Sequence, residues 1–153
     1  MPRTLTARLT SACGRICLQQ SLCLLPNVLT FNRAKAAGFD EAVFIEDDQT
    51  IAESPAANIF IIKGGRVATP PKSHPILGGV TRDRVITLAR QHGVPLEERP
   101  VTLPELRAAD EVFLTSTTIV VLPATQVDQQ PVGAGKSGPV TQNLGELFRA
   151  AVA

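Results

Sequence analysis

Residues 58–69 read NIFIIKGGRVAT. Asn58 to Lys63 is an apolar run rich in β-branched and aromatic residues, the composition of a strand. Gly64-Gly65 fits a two-residue hairpin turn, which needs positive φ at its centre. Arg66 to Thr69 is the partner strand, and Pro70-Pro71 ends the pairing because proline has no N–H to donate. A hairpin therefore stands in the middle of the chain.

Working upstream, residues 41–46 (EAVFIE) read as a strand, Asp47 to Gln49 as a turn, and Thr50 to Glu53 as a second strand. Pro26 opens a helical stretch in which Val28, Leu29, Phe31 and Ala34 recur at helical spacing, and Gly38 is its C-terminal cap. Downstream, a loop over 72–79 ends in Gly78-Gly79. Thr81 is expected to cap a helix over 82–92, with Val85, Ile86 and Ala89 on one face and Gly93 as the stop. Val94 to Val101 is a short strand. Thr102-Leu103-Pro104-Glu105 is a capping box for a helix through Ala109. Residues 111–117 and 119–124 are strands, 133–138 a Gly-rich turn, and Pro139 opens a last helix with Val140, Leu144, Leu147 and Phe148 on its apolar side. Helices and strands alternate without a break after residue 25, so the fold class is α/β, a mixed α+β unit.

Composition bounds the function. The chain has 153 residues, 44% apolar and 19% charged, with a formal charge of +1, as expected of a globular domain. It has no apolar run of membrane-spanning length. Six Phe and no Trp or Tyr leave few platforms for stacking bases, which argues against nucleic-acid binding. Residues 1–39 carry five bases and no acid, and the first twenty residues are rich in Ser, Thr and Arg. Such a composition is shared by transit peptides. Composition alone is weak evidence of targeting, and the reading taken is a poorly structured terminus or a start within a longer reading frame. Cys13, Cys17 and Cys23 are an odd, clustered set, read as free thiols in a reducing, cytoplasmic setting, with no metal site.

Three stretches could carry chemistry. Gly78-Gly79-Val80-Thr81-Arg82 precedes a helix, where free N–H groups and the helix dipole favour an anion. Thr115-Ser116-Thr117-Thr118 brings four hydroxyls to the end of a strand. Glu53 sets a carboxylate at the end of an apolar strand. A capped helix needs no anion and a Thr/Ser run is often only a strand end, so none of the three suffices alone.

Their order and surroundings do more. From Asn27 to Phe148 the chain resembles the class IV aminotransferases, the pyridoxal-phosphate family that includes D-amino-acid and branched-chain aminotransferases and aminodeoxychorismate lyase. The resemblance runs through 38–42 (GFDEA), Glu53 followed by 58–60 (NIF), 69–71 (TPP), 76–82 (ILGGVTR) and 109–117 (ADEVFLTST), and weakly through 126–128 and 138–141. It implies the C-terminal domain of a D-amino-acid aminotransferase-like enzyme over residues 21–153, with 1–20 as an atypical or disordered N-terminal segment. It further implies that Glu53 pairs with the ring nitrogen of pyridoxal phosphate and that Val80, Thr81, Ser116 and Thr117 form a phosphate cup. Leu77 would pack on the ring and Asn58 would lie in the loop beside it. The substrates implied are an amino acid and a 2-oxo acid.

The departures matter equally. In the family a lysine that binds the cofactor as a Schiff base stands in a segment resembling Lys-Ser-Leu-Asn-Leu-Leu. Here 20–25 reads QSLCLL, so Gln20 occupies the lysine position. An amide forms no imine and shuttles no proton. Ser54-Pro55-Ala56-Ala57 replaces the Gly and hydroxyl residues usual after the glutamate. Residues 13–20 look like a disturbed copy of the family's approach to its lysine. The chain also has no room for the family's N-terminal domain, so an inactive isolated chain that self-associates is expected. The absence of Tyr just after the Gln20 segment is closer to the D-amino-acid branch. The alternatives are an aminodeoxychorismate lyase-like protein, a non-catalytic cofactor-binding pseudoenzyme and a truncated gene product.

Overall fold

The 58–69 hairpin is part of a mixed sheet. The computed structural model describes residues 7–13, 25–46, 48–72 and 78–152. Along the chain these form β1 (Ala7–Cys13), α1 (Leu25–Ala36), β2 (Glu41–Ile45), β3 (Asn58–Lys63), β4 (Arg66–Thr69) and α2 (Val80–Gln91). They continue as β5 (Leu96–Glu98), α3 (Leu103–Arg107), β6 (Glu111–Ser116), β7 (Val120–Val127), β8 (Gln130–Pro131) and α4 (Pro139–Val152). The strand order is β2-β1-β7-β6-β3-β4-β5, with β8 pairing β7.

β3 runs antiparallel to both β4 and β6, and β6 antiparallel to β7. β1 is parallel to β2 on one side and β7 on the other, and β4 is parallel to β5. β1 falls within residues 1–20, the segment that the sequence marks as atypical or disordered, and it pairs with β2 and β7 in the sheet. Its sequence, ARLTSAC, carries only Thr10 as a β-branched residue and no aromatic to announce a strand, and its pairing comes from distant partners.

Because β3 is covered on both faces, it reads as continuous apolar sequence rather than an alternation. Ile59 and Ile61 join Val43, Ile45, Leu106, Val112 and Leu114 on one face. Phe60 and Ile62 join Val85, Ala89, Phe113, Leu144 and Phe148 under α2 and α4 on the other. Phe60 and Phe113 are register partners and their rings stack, with centroids 4.7 Å apart and planes within 7°.

Several boundaries differ from expectation. α2 begins at Val80 with Gly79 as its N-cap, so Thr81 lies inside the first turn and does not cap it. The reason is that Gly79 is extended (φ −65°, ψ 138°) and its carbonyl already accepts the Asp83 N–H. Residues 50–53 form no full strand, but their backbone bonds to β2 through Glu46 N–Thr50 O, Ala52 N–Phe44 O and Phe44 N–Glu53 O. β5 covers only 96–98 of the expected 94–101. α3 carries the expected capping box, with Thr102 and Glu105 bonding each other's amides.

Two polar devices fix the helices. Glu111 is buried, and its carboxylate accepts Val140 N at 3.1 Å and Thr141 N at 2.8 Å, capping α4 from a residue 29 positions earlier. Gly138 lies so close to Glu111 that an added Cβ would overlap its carboxyl group. At the other edge Glu98 of β5 accepts both Arg82 Nη2 and Arg90 Nη2 at 2.9 Å, while Arg99 binds Glu105 at 2.8 Å. The Arg82 bond holds the Glu98 carboxyl below its usual range, and the Arg99 bond does so for Glu105.

Two predictions follow from these contacts. Glu111→Ala leaves two helix amides without an acceptor and is expected to cost about 1–3 kcal/mol by urea unfolding, with Gly138→Ala destabilising through the same carboxylate. The lowered Glu98 and Glu105 values mean that their stabilisation is complete above the ordinary carboxylate range, near ~4.5, and is lost as pH falls through the folded values. The urea midpoint should therefore drop between neutral pH and about pH 3, and Glu98→Gln should shrink that drop.

Candidate functional site

One end of the sheet collects most of the residues singled out from the sequence. β3 begins there with Asn58, and the antiparallel β6 ends there with Thr115 and Ser116. Asn58 and Thr115 are direct register partners and so share a face. That face is the one α2 covers, since Phe60 and Phe113, two residues further along each strand, pack against Val85 and Ala89.

Asn58 joins the parts. Its Nδ2 donates to Glu53 Oε2 at 3.4 Å. Its Oδ1 lies against Gly79, where an added Cβ would overlap it. The glycine before α2 is therefore set by close approach of the Asn58 amide, and the same amide ties the Glu53 carboxylate to the helix start. The loop after Glu53 is held from its other side by α1, whose Asn27 Nδ2 donates to Pro55 O at 2.9 Å.

Among the described residues, the start of α2 has no side-chain cap. Its first helical backbone bond is Asp83 N to Gly79 O at 3.0 Å, so the amides of Val80, Thr81 and Arg82 precede the helical ladder. Gly79 supplies no side-chain cap. Val80 is exposed and Thr81 buried. These amides and the helix dipole favour an anion, as the sequence suggested, with Gly79 rather than Thr81 closing the turn.

The hydroxyl stretch divides. Thr115 is buried on the α2 face, and its Oγ1 has no hydrogen-bond partner among the described residues. Ser116 Oγ accepts Ile119 N at 3.2 Å and lies 3.2 Å from Thr118 Oγ1, so it closes the turn over 117–119. Thr117 is exposed in that turn. The turn ends at Val120 with φ 64°, a left-handed conformation that costs a β-branched residue energy. Gln20 and Leu77 lie outside the described residues. Sequence reasoning missed Thr115 as the partner of Asn58, because cross-strand register is not local. It missed Gly79 as the N-cap because Thr81 is the better cap by residue type.

Comparison with known proteins gives the family and the fold. The family model "Amino-transferase class IV" matches residues 19–127. A probable branched-chain-amino-acid aminotransferase of Aquifex aeolicus is 42% identical over 127 residues, 82% of this chain and 41% of the relative. A D-alanine aminotransferase of Listeria monocytogenes is 42% identical over 132 residues, 86% of this chain and 45% of the relative. Among solved structures, the branched-chain amino acid aminotransferase of Thermobaculum terrenum in its PLP form superposes with a TM-score of 0.91 at 29% identity, covering 98% of this chain and 52% of that one. The Escherichia coli branched-chain enzyme gives 0.89 at 28%, covering 98% and 54%. The chain thus spans about half the length of the relatives it matches. With the family model covering more than two thirds of its residues, and the fold and motif order in agreement, the chain belongs to the class IV aminotransferases.

Proposed function

We propose that this chain binds pyridoxal phosphate at the sheet end built by Glu53, Asn58 and the start of α2, and that it does so without covalent attachment. The observation that carries the reading is the Asn58 amide, which links a carboxylate to an uncapped helix start. The donor set fits the group. A carboxylate suits a protonated ring nitrogen, and open amides with nearby hydroxyls suit a phosphate. Pyridoxal phosphate, when bound, supplies an electron sink for carbanion chemistry at the substrate carbon.

On this reading each residue has a role. Glu53 would hold the proton of the ring nitrogen, and Asn58 Nδ2 would orient that carboxylate. The Val80 and Thr81 amides would hold the phosphate from the helix side. Ser116 and Thr117 would close the cup from the strand side, with Thr117 offering the more exposed side chain. Leu77 would pack on the ring.

The family reaction moves an amino group between an amino acid and a 2-oxo acid. Gln20 stands where the resemblance sets the lysine, and its amide is neither a nucleophile toward an aldehyde nor a base near neutral pH. That residue favours a non-catalytic, cofactor-binding protein over a working transferase or lyase. Self-association and a cytoplasmic setting belong to the same proposal. They are supported by the exposed Leu25, Val28 and Leu29 of α1 and by the odd, clustered cysteines.

Two measurements test the reading. The chain is mixed with pyridoxal phosphate, reduced with borohydride and weighed by mass spectrometry. The expected result is saturable binding without a stoichiometric adduct, and a single adduct at residue 20 in Gln20→Lys. A stoichiometric wild-type adduct on Lys35, Lys63, Lys72 or Lys136, with turnover of D-alanine or a branched-chain amino acid, would overturn it. Separately, Gly79→Ala should displace Asn58 and weaken pyridoxal-phosphate binding by about tenfold with little change in the urea midpoint, because the overlap is confined to one side chain.

A further inference from the structure

Something must fix where the open amides of α2 point, because Gly79 offers no side chain to do it. Arg82, in the same first turn, has a side chain that is 0% exposed. Its Nη2 donates to Pro70 O at 2.8 Å and to Glu98 Oε2 at 2.9 Å, and its Nη1 reaches Asp83 Oδ1 at 3.3 Å. These acceptors lie on three pieces of the molecule: the chain leaving β4, the edge strand β5, and α2 itself. Asp83 also takes Lys72 Nζ at 2.6 Å, a second tie between the chain after β4 and the helix start. On the other side of the same turn, Gly79 abuts Asn58. The first turn of α2 is thus held between a buried guanidinium and the Asn58 amide.

We propose that Arg82 is a positioning residue for the candidate phosphate site: it never touches the phosphate, but clamps the first turn of α2 so that the Val80 and Thr81 amides converge on it. The inference rests on the cofactor reading above. Both terminal nitrogens of Arg82 are engaged by protein acceptors, and its Nε, which has no partner among the described residues, is buried with the rest of a side chain that is 0% exposed, so direct contact with a ligand is not its role. A planar fork can serve a carbonyl and a carboxylate together, which the single ammonium of a lysine does not reproduce. Arg90 shares Glu98, yet it is exposed, and it sits in the last turn of α2. It therefore serves as the control.

The test separates the phosphate's share of binding from the ring's share. The full chain is titrated with pyridoxal phosphate and with pyridoxal, and the ratio of the two Kd values gives the phosphate preference. Arg82→Lys should cut that preference by about tenfold and leave the pyridoxal Kd unchanged, because only the aim of the amides is lost. Glu98→Gln, which keeps the guanidinium and its Pro70 bond, should cut it by a smaller factor, and Arg90→Gln should not change it. A merely structural role would weaken both ligands in parallel, and that result overturns the proposal. So does a wild-type preference retained in both Arg82→Lys and Glu98→Gln. If Arg82→Lys does not fold, Glu98→Gln decides alone. A wild-type chain that shows no phosphate preference overturns the cofactor reading, and the proposal with it.

Discussion

The antiparallel pairing of β3 with β6 sets the geometry of everything around it. Its register runs from Asn58 opposite Thr115 to Ile62 opposite Glu111, with Phe60 stacked on Phe113 between them. Both faces are buried, so a one-residue slip would turn every side chain of β3 to the wrong layer. The same register sets both ends of the pair. At one end Glu111 meets the start of α4, and at the other Asn58 meets the start of α2.

Those two helix starts are handled in opposite ways. α4 is closed by a buried carboxylate that takes two of its first amides, and α3 by a capping box. Among the described residues α2 has neither: a glycine precedes it, an asparagine amide leans on that glycine, and a buried hydroxyl stands across the strand pair. An internal cap would have satisfied those amides, as in the other two helices. Leaving them open keeps donors for a group that is not part of the chain, and this supports reading the end of the sheet as a binding site rather than a strand terminus.

The legible parts of the fold were those fixed by neighbours in sequence. The Gly64-Gly65 hairpin, the Thr102–Glu105 box, and the stops at Gly38 and Gly93, both at positive φ, each follow from a few adjacent residues. What could not be read depends on distant partners. β1 has a single β-branched residue and no aromatic, and it pairs with β2 on one side and β7 on the other. Glu111 caps α4 from the far side of β7, and nothing local marks it as a cap. In the candidate site, Glu53, Asn58, Val80, Thr81, Ser116 and Thr117 are singled out by motif. Thr115, Gly79 and Arg82 lay within the quoted stretches, but their partners emerge only once the strands are paired and the helix is laid on them.

Arg82 itself runs against local preference. A cation in the first turn of a helix opposes the helix dipole, and a buried guanidinium costs desolvation that only well-placed acceptors offset. Asp83, Glu98 and the Pro70 carbonyl supply those acceptors. A neutral, well-packed residue would hold α2 to the sheet at lower electrostatic cost. The guanidinium does what such a residue would not: it fixes the direction of the first turn through acceptors on the chain after β4, on β5 and on α2 itself. That arrangement is unfavourable for a helix that only has to pack, and favourable for one that has to present its amides to a phosphate.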